Sequence, residues 1–190
     1  MAIGVAAQFE LTLRQVDVIG YWEIIEGTAE VERGAVVDRG QVWRPGLRFE
    51  DFAAGRLDLE TSKTQTQAVF DVTVYPLFQQ ALAAVPEHER HGPLVTDDSG
   101  KPVRRRYYGD LYRDVADAAG VPRSVWNMHA RHGGATEAQQ AGVALADIAE
   151  HAQHSDINTT RKHCIVPSVE TSRRVARQRV AHRQAKKNTP

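Results

Sequence analysis

The stretch that most constrains this chain runs over residues 126–165, WNMHARHGGATEAQQAGVALADIAEHAQHSDINTTRKHCI. It opens on Met128, His129, Ala130, Arg131 and His132, continues through small residues to Ala141, and meets Gly142. A glycine after a helical run is a common stop, because it takes the left-handed cap without a Cβ penalty. A short second helix ending near His151 is predicted next, followed by His154-Ser155-Asp156 and the Thr159-Thr160 pair. An arginine, a helix, a turn, a second helix and a histidine, in that order, leave few arrangements open.

With 190 residues the chain is one domain in size and long enough to bury a core. Its single cysteine, Cys164, excludes an internal disulfide framework and fits a reducing cytosol. The start, MAIGVAAQFELTLRQ, has no basic leader followed by a long apolar run, and no window is apolar enough to cross a bilayer. A cytoplasmic location is expected, with no membrane contact. Net charge is zero, yet residues 1–100 carry 8 basic and 16 acidic groups whereas residues 101–190 carry 16 and 8. The basic half can supply phosphate-neutralising surface, or it can be a solvated helix face with a ragged tail; charge alone does not choose.

Phe9, Leu13, Val16 and Ile19 fall three or four apart and predict one helix over 5–20, with Arg14 and Asp17 on a shared face. Residues 26–46 read as loops with short strands. GRLDLET (55–61) and AVFDVTV (68–74) alternate and predict an antiparallel hairpin with Lys63 on its polar connection. Pro76 opens a helix through about 85. Residues 86–104 read as a polar loop with a short strand at 93–96 and a turn at Asp97-Asp98-Ser99-Gly100. A helix over 106–119 carries Tyr108, Leu111, Tyr112, Val115 and Ala118 at helical spacing, and a last Arg-rich helix runs from about 168 to 185. No internal repeat appears, so a single domain over 1–185 with a basic tail at 186–190 is expected.

From about Phe9 to Arg183 this pattern resembles the catalytic domain of the tyrosine recombinases, the phage-integrase family. There the corresponding stretch reads H-x-x-R-H, helix, Gly, helix, G-H-[ST] and T-T-x-x-Y. The resemblance implies an α+β fold, mostly helical with a small antiparallel sheet, and a role in DNA recombination or integration. It implies metal-free strand transfer, in which a tyrosine attacks a DNA phosphate and leaves a 3′-phosphotyrosine and a free 5′-hydroxyl. Arg14 matches the first family arginine, in L-R-x-x-E/D, and Asp17 its bracing acid. Lys63 matches the hairpin lysine that protonates the leaving oxygen. Arg131 matches the second arginine, and His154 the histidine that bonds the phosphate. Arginine suits this work because its planar fork keeps its charge and donates two parallel bonds to a phosphate. No cofactor is implied; the partners are duplex DNA and, through the final helix, another protomer. The family's separate DNA-clamping domain in front is not found in the sequence, so weak duplex binding is expected.

Two positions depart from the family. Met128 stands where a histidine is usual, and the adjacent His129 is turned by about 100° on a helix. His163 stands where the nucleophilic tyrosine belongs. All five tyrosines, Tyr21, Tyr75, Tyr107, Tyr108 and Tyr112, precede Arg131. His163 then reads as the loss of cleavage, as a histidine nucleophile, or as a site served by a tyrosine in trans or by Tyr107 or Tyr108. Cys164 reads as a small buried hydrophobe. Two readings of another class remain: an interaction module, and a metal site on His129, His132, His151, His154 and His163, against which stands the lack of an HExxH signature.

Overall fold

A computed structural model describes residues 1–26, 35–52, 54–63, 65–163 and 166–187, with backbone alone at 163, 186 and 187. Cys164 and residues 188–190 of the expected tail therefore lie outside the described residues. The predicted first helix is two. Helix α1 (Ala2–Glu10) ends at Leu11, and α2 (Gln15–Ile19) starts after Arg14, its N-cap residue. Between them Thr12 takes a left-handed backbone, φ 46°. Of the predicted apolar stripe only Leu13 and Ile19 enter the core, joined by Leu11 and Val18, whereas Phe9 lies against Gly133 and Val16 lines a cleft.

Gly20 (φ 70°) turns the chain into β1 (Tyr21–Ile24), which pairs antiparallel with β3 (Gln41–Arg44); β2 (Val37–Asp38) covers the other edge of β3. The expected hairpin is β4 (Arg56–Glu60) with β5 (Gln67–Asp71). Its register sets Leu57 opposite Phe70 and Leu59 opposite Ala68, on the core face. Asp58 opposes Val69 on the solvent side, as a period of two requires. Residues 72–74 form a 3-10 turn instead of extending the second strand.

Helix α3 (Pro76–Ala83) follows, its open N-terminus capped from a distance: the Glu10 carboxylate accepts from the backbone N–H groups of Leu77 and Phe78. The expected strand at 93–96 is replaced by two isolated bridges, Arg48 with Pro93 and Thr96 with Pro102. The Asp97 carboxylate organises the predicted turn by accepting from Ser99 and from the Lys101 N–H. Helix α4 (Arg105–Ala118) buries Tyr108 and Ala116, whereas Val115 and Ala118 face solvent. Tyr108 is fully buried and its hydroxyl donates to Gln8 of α1.

Helices α5 (His129–Ala141), α6 (Leu145–His151) and α7 (Ile157–His163) realise the organising stretch, with Gly142 left-handed at φ 93°. Helix α8 (Val169–Lys187) is held against α5 at one end, where Arg174 donates to the last α5 carbonyls, of Gln139 and Gln140. Helix α5 crosses α1 closely at Gly133 and Gly134; a Cβ on Gly134 would sit 1.9 Å from the Phe9 carbonyl oxygen. Two small antiparallel sheets beside a mostly helical body make this an α+β fold. Among the described residues no helix is long and apolar enough to cross a membrane.

Candidate functional site

The break after α1 builds the site. Because the chain turns at residues 11–14, Arg14 leaves the α2 N-terminus at the floor of a cleft of about 970 Å³. Lys63 enters the same cleft from the β4–β5 connection, and Met128 and Arg131 enter it from the start of α5. Three cations separated by 49 and 68 positions in sequence are thus brought together. Arg105 and Arg106, from the first turn of α4, add two more, and His132 completes the wall near Arg131.

Asp17 couples two of these cations. Its Oδ2 lies 3.8 Å from Arg14 Nη1, while Oδ1 accepts from the Ser62 backbone N–H at 2.8 Å and the Ser62 hydroxyl at 2.7 Å. The residue beside Lys63 is therefore pinned to the acid that faces Arg14. Among the described residues neither Arg14 Nη1 nor Asp17 Oδ2 has a hydrogen-bond partner, so their contact there is ionic. Arg14 is steadied from the other side, where Nη2 donates to the Gln153 carbonyl at 3.3 Å.

Arg131 is buried, and its guanidinium donates to the carbonyls of Thr12 and Ala152 and, at 3.5 Å, to Gln153 Oε1. Both neighbouring turns carry strain: Thr12 and Gln153 have φ of 46° and 49°, a region that side chains other than glycine rarely adopt. Strained residues persist where surrounding contacts over-determine them, and here both hold one arginine.

The Thr12 turn is locked by a partly buried chain of polar groups. Its hydroxyl donates to the His151 carbonyl, so the 2.9 Å contact with His151 Nδ1 has the ring N–H donating to Thr12 Oγ1. Nε2 is then the acceptor for the Tyr75 hydroxyl at 3.0 Å. Burial, aided by the Arg131 charge, pushes the His151 pKa down and favours this neutral form. Burial pushes the Tyr75 phenol up, with Glu10 and Asp71 adding to the shift, and keeps it a donor.

The remaining expected residues fall into place unevenly. His154 does not line the cleft; its Nδ1 pairs with the buried Thr160 of α7 at 2.7 Å, one residue beyond the Gln153 that touches both arginines. His129 turns aside: its Nδ1 accepts from the Trp126 N–H and its ring stands 6.1 Å from that of His132. His129 does not line the cleft, whereas Met128 lies in its wall. The backbone of residue 163 closes α7, and its side chain lies outside the described residues. Neither alternative tyrosine reaches the cleft, since Tyr108 is buried against Gln8 and the Tyr107 hydroxyl donates to Asp98. Tyr21 does line it. Among the described residues no group of three His, Cys, Asp or Glu side chains is placed to hold a metal ion, and His151 and His154 address different partners. Sequence reasoning missed Arg105, Arg106, Tyr21, Ser62 and Gln153; only the Arg104-Arg105-Arg106 run offered a signal.

No protein-family model and no curated protein matches the chain. Solved structures do. The chain is similar to the XerA recombinase, with 14% identity, a TM-score of 0.53 and coverage of 70% of this chain and 49% of that one. It is also similar to the XerH site-specific recombinase bound to its difH substrate (13%, TM-score 0.51, 92% and 45%). A third is the Tn1549 transposon integrase in complex with circular intermediate DNA (14%, TM-score 0.51, 92% and 56%). The chain spans about half the length of these proteins. It has a tyrosine recombinase-like fold.

Proposed function

We propose that residues 1–185 are a recombinase-type catalytic domain that takes part in DNA recombination or integration, holds duplex DNA in the cationic cleft, and does not cut it. One observation carries the reading: Arg14, Lys63 and Arg131, contributed by three separate elements, line a single cleft together with Arg105 and Arg106. A phosphate entering this cleft meets preorganised charge, and neutralising phosphates is what supplies most sequence-independent DNA affinity. Arg131, fixed on backbone carbonyls, acts as a positioned charge beside the non-bridging oxygens. Arg14, braced by Asp17, adds its charge beside the same group. Lys63, which lines the same cleft, would act as the proton donor to a leaving 5′-oxygen.

Strand transfer needs an attacking oxygen that forms a bond to phosphorus as the P–O5′ bond breaks and the 5′-oxygen takes the Lys63 proton. Residue 163 at the end of α7 is histidine, whose imidazole is shorter than a phenol. The reading is tested with a nicked duplex and a denaturing gel. The unmodified protein is expected to form no covalent adduct, and His163→Tyr is expected to form one. An adduct with the unmodified protein refutes inactivity; no adduct and no DNA retention with His163→Tyr refutes the site.

A further inference from the structure

The cleft is not only cationic. Three large apolar side chains line it and remain exposed: Trp126 at 63%, Met128 at 56% and Tyr21 at 47%. Single exposed hydrophobic residues are ordinary on protein surfaces, whereas three converging on a cleft with Arg14, Arg105 and Arg106 are not. Their placement has local causes. The alternation of β1 turns Trp22 to the opposite face, where Arg104 stacks on its ring at 4.4 Å and Pro102 accepts from its indole, and this leaves Tyr21 on the cleft side. Trp126 stands in the loop before α5, its backbone N–H tied to His129 Nδ1, so the loop is held while the indole stays uncovered.

We infer that Trp126 and Tyr21 form a stacking platform for an unpaired nucleobase, so that the cleft binds DNA with an extruded or frayed base in preference to fully paired duplex. This rests on the DNA-holding function proposed above and specifies the form of DNA it favours. The chemistry is that of single-strand binding surfaces, where cations follow the backbone and aromatic faces take up bases whatever their sequence. Tyrosine and tryptophan suit the task, being rigid and amphipathic. The guanidinium groups of Arg105 and Arg106 supply the matching phosphate contacts.

The test uses the full chain and three labelled DNAs of one sequence: a duplex, the same duplex with a short unpaired bulge, and the single strand. Trp43 is buried and Trp22 is covered by Arg104, so quenching of tryptophan emission reports chiefly on Trp126. The bulged duplex is expected to bind roughly ten-fold more tightly than the paired one and to quench that emission. Trp126→Ala and Tyr21→Ala should bring the bulged duplex to the affinity of the paired one, without changing the salt dependence of either. Equal affinity for paired and bulged DNA with no quenching overturns the platform and leaves duplex holding intact. Absence of binding to all three DNAs overturns both.

Discussion

The crossing of α1 and α5 yields a prediction whose size can be worked from the structure. Gly134→Ala places a methyl group 1.9 Å from the Phe9 carbonyl oxygen and 3.0 Å from the Phe9 carbonyl carbon. The obstacle is backbone and cannot rotate away, so reaching ordinary contact requires α1 to retreat by about 1.5 Å. Overpacking of this kind costs about 3 kcal/mol and the better helix propensity of alanine returns about 1, for a net loss of about 2 kcal/mol. Gly109→Ala is the contrast: it lies in α4 with nothing within 4 Å of its would-be Cβ, so it should gain about 1 kcal/mol from propensity alone. The two variants should therefore move the urea midpoint in opposite directions, Gly134→Ala downward by about 1 M. The α1 retreat also draws the Thr12 carbonyl from Arg131, so duplex affinity should fall with stability. A Gly134→Ala protein as stable as the parent, or more so, would refute the close seating of α1 on α5.

Other perturbations follow from the site. The folded-state pKa of His151 is lowered, so its contribution to stability is whole above about pH 6.5 and is lost as pH falls through the depressed value; urea midpoints at pH 8 and pH 5 should differ by less in His151→Gln than in the parent. Asp17→Ala removes two bonds from Ser62 and uncovers Arg14, a loss of about 2 to 3 kcal/mol by denaturation. Asp17→Asn keeps an acceptor for Ser62 and should lose distinctly less. At the left-handed position 153, Gln153→Gly should be more stable than Gln153→Ala by about 1 kcal/mol, since only glycine escapes the Cβ penalty.

Much of the architecture was legible because local chemistry and tertiary structure agree. Alternation found the β4–β5 hairpin, Gly142 marked the end of α5, and the Asp97 turn formed as its residues predict. Periodicity failed at residues 11–14 for a physical reason: Thr12 carries no turn signal of its own, and after its left-handed turn the core takes Leu11, Leu13, Val18 and Ile19 instead of the stripe through Phe9 and Val16. It failed again on α4, where the core takes Tyr108 and Ala116 and leaves Val115 in solvent. At the site, Arg14, Lys63 and Arg131 were found through the family pattern and the structure brings them to one cleft. Arg105, Arg106 and Tyr21 matter because the fold sets them in one cleft with Lys63, and Gln153 through a bond to Arg14 across 139 positions; no local window contains either.

The most direct measurement is the salt dependence of binding to a random-sequence duplex, for the parent protein and for Arg14→Ala. The account predicts that the logarithm of affinity falls linearly with the logarithm of salt. Arg14→Ala should bind more weakly with a slope shallower by about one unit. No binding at low salt, or two proteins with the same affinity and slope, would contradict it and place any DNA contact away from the cleft.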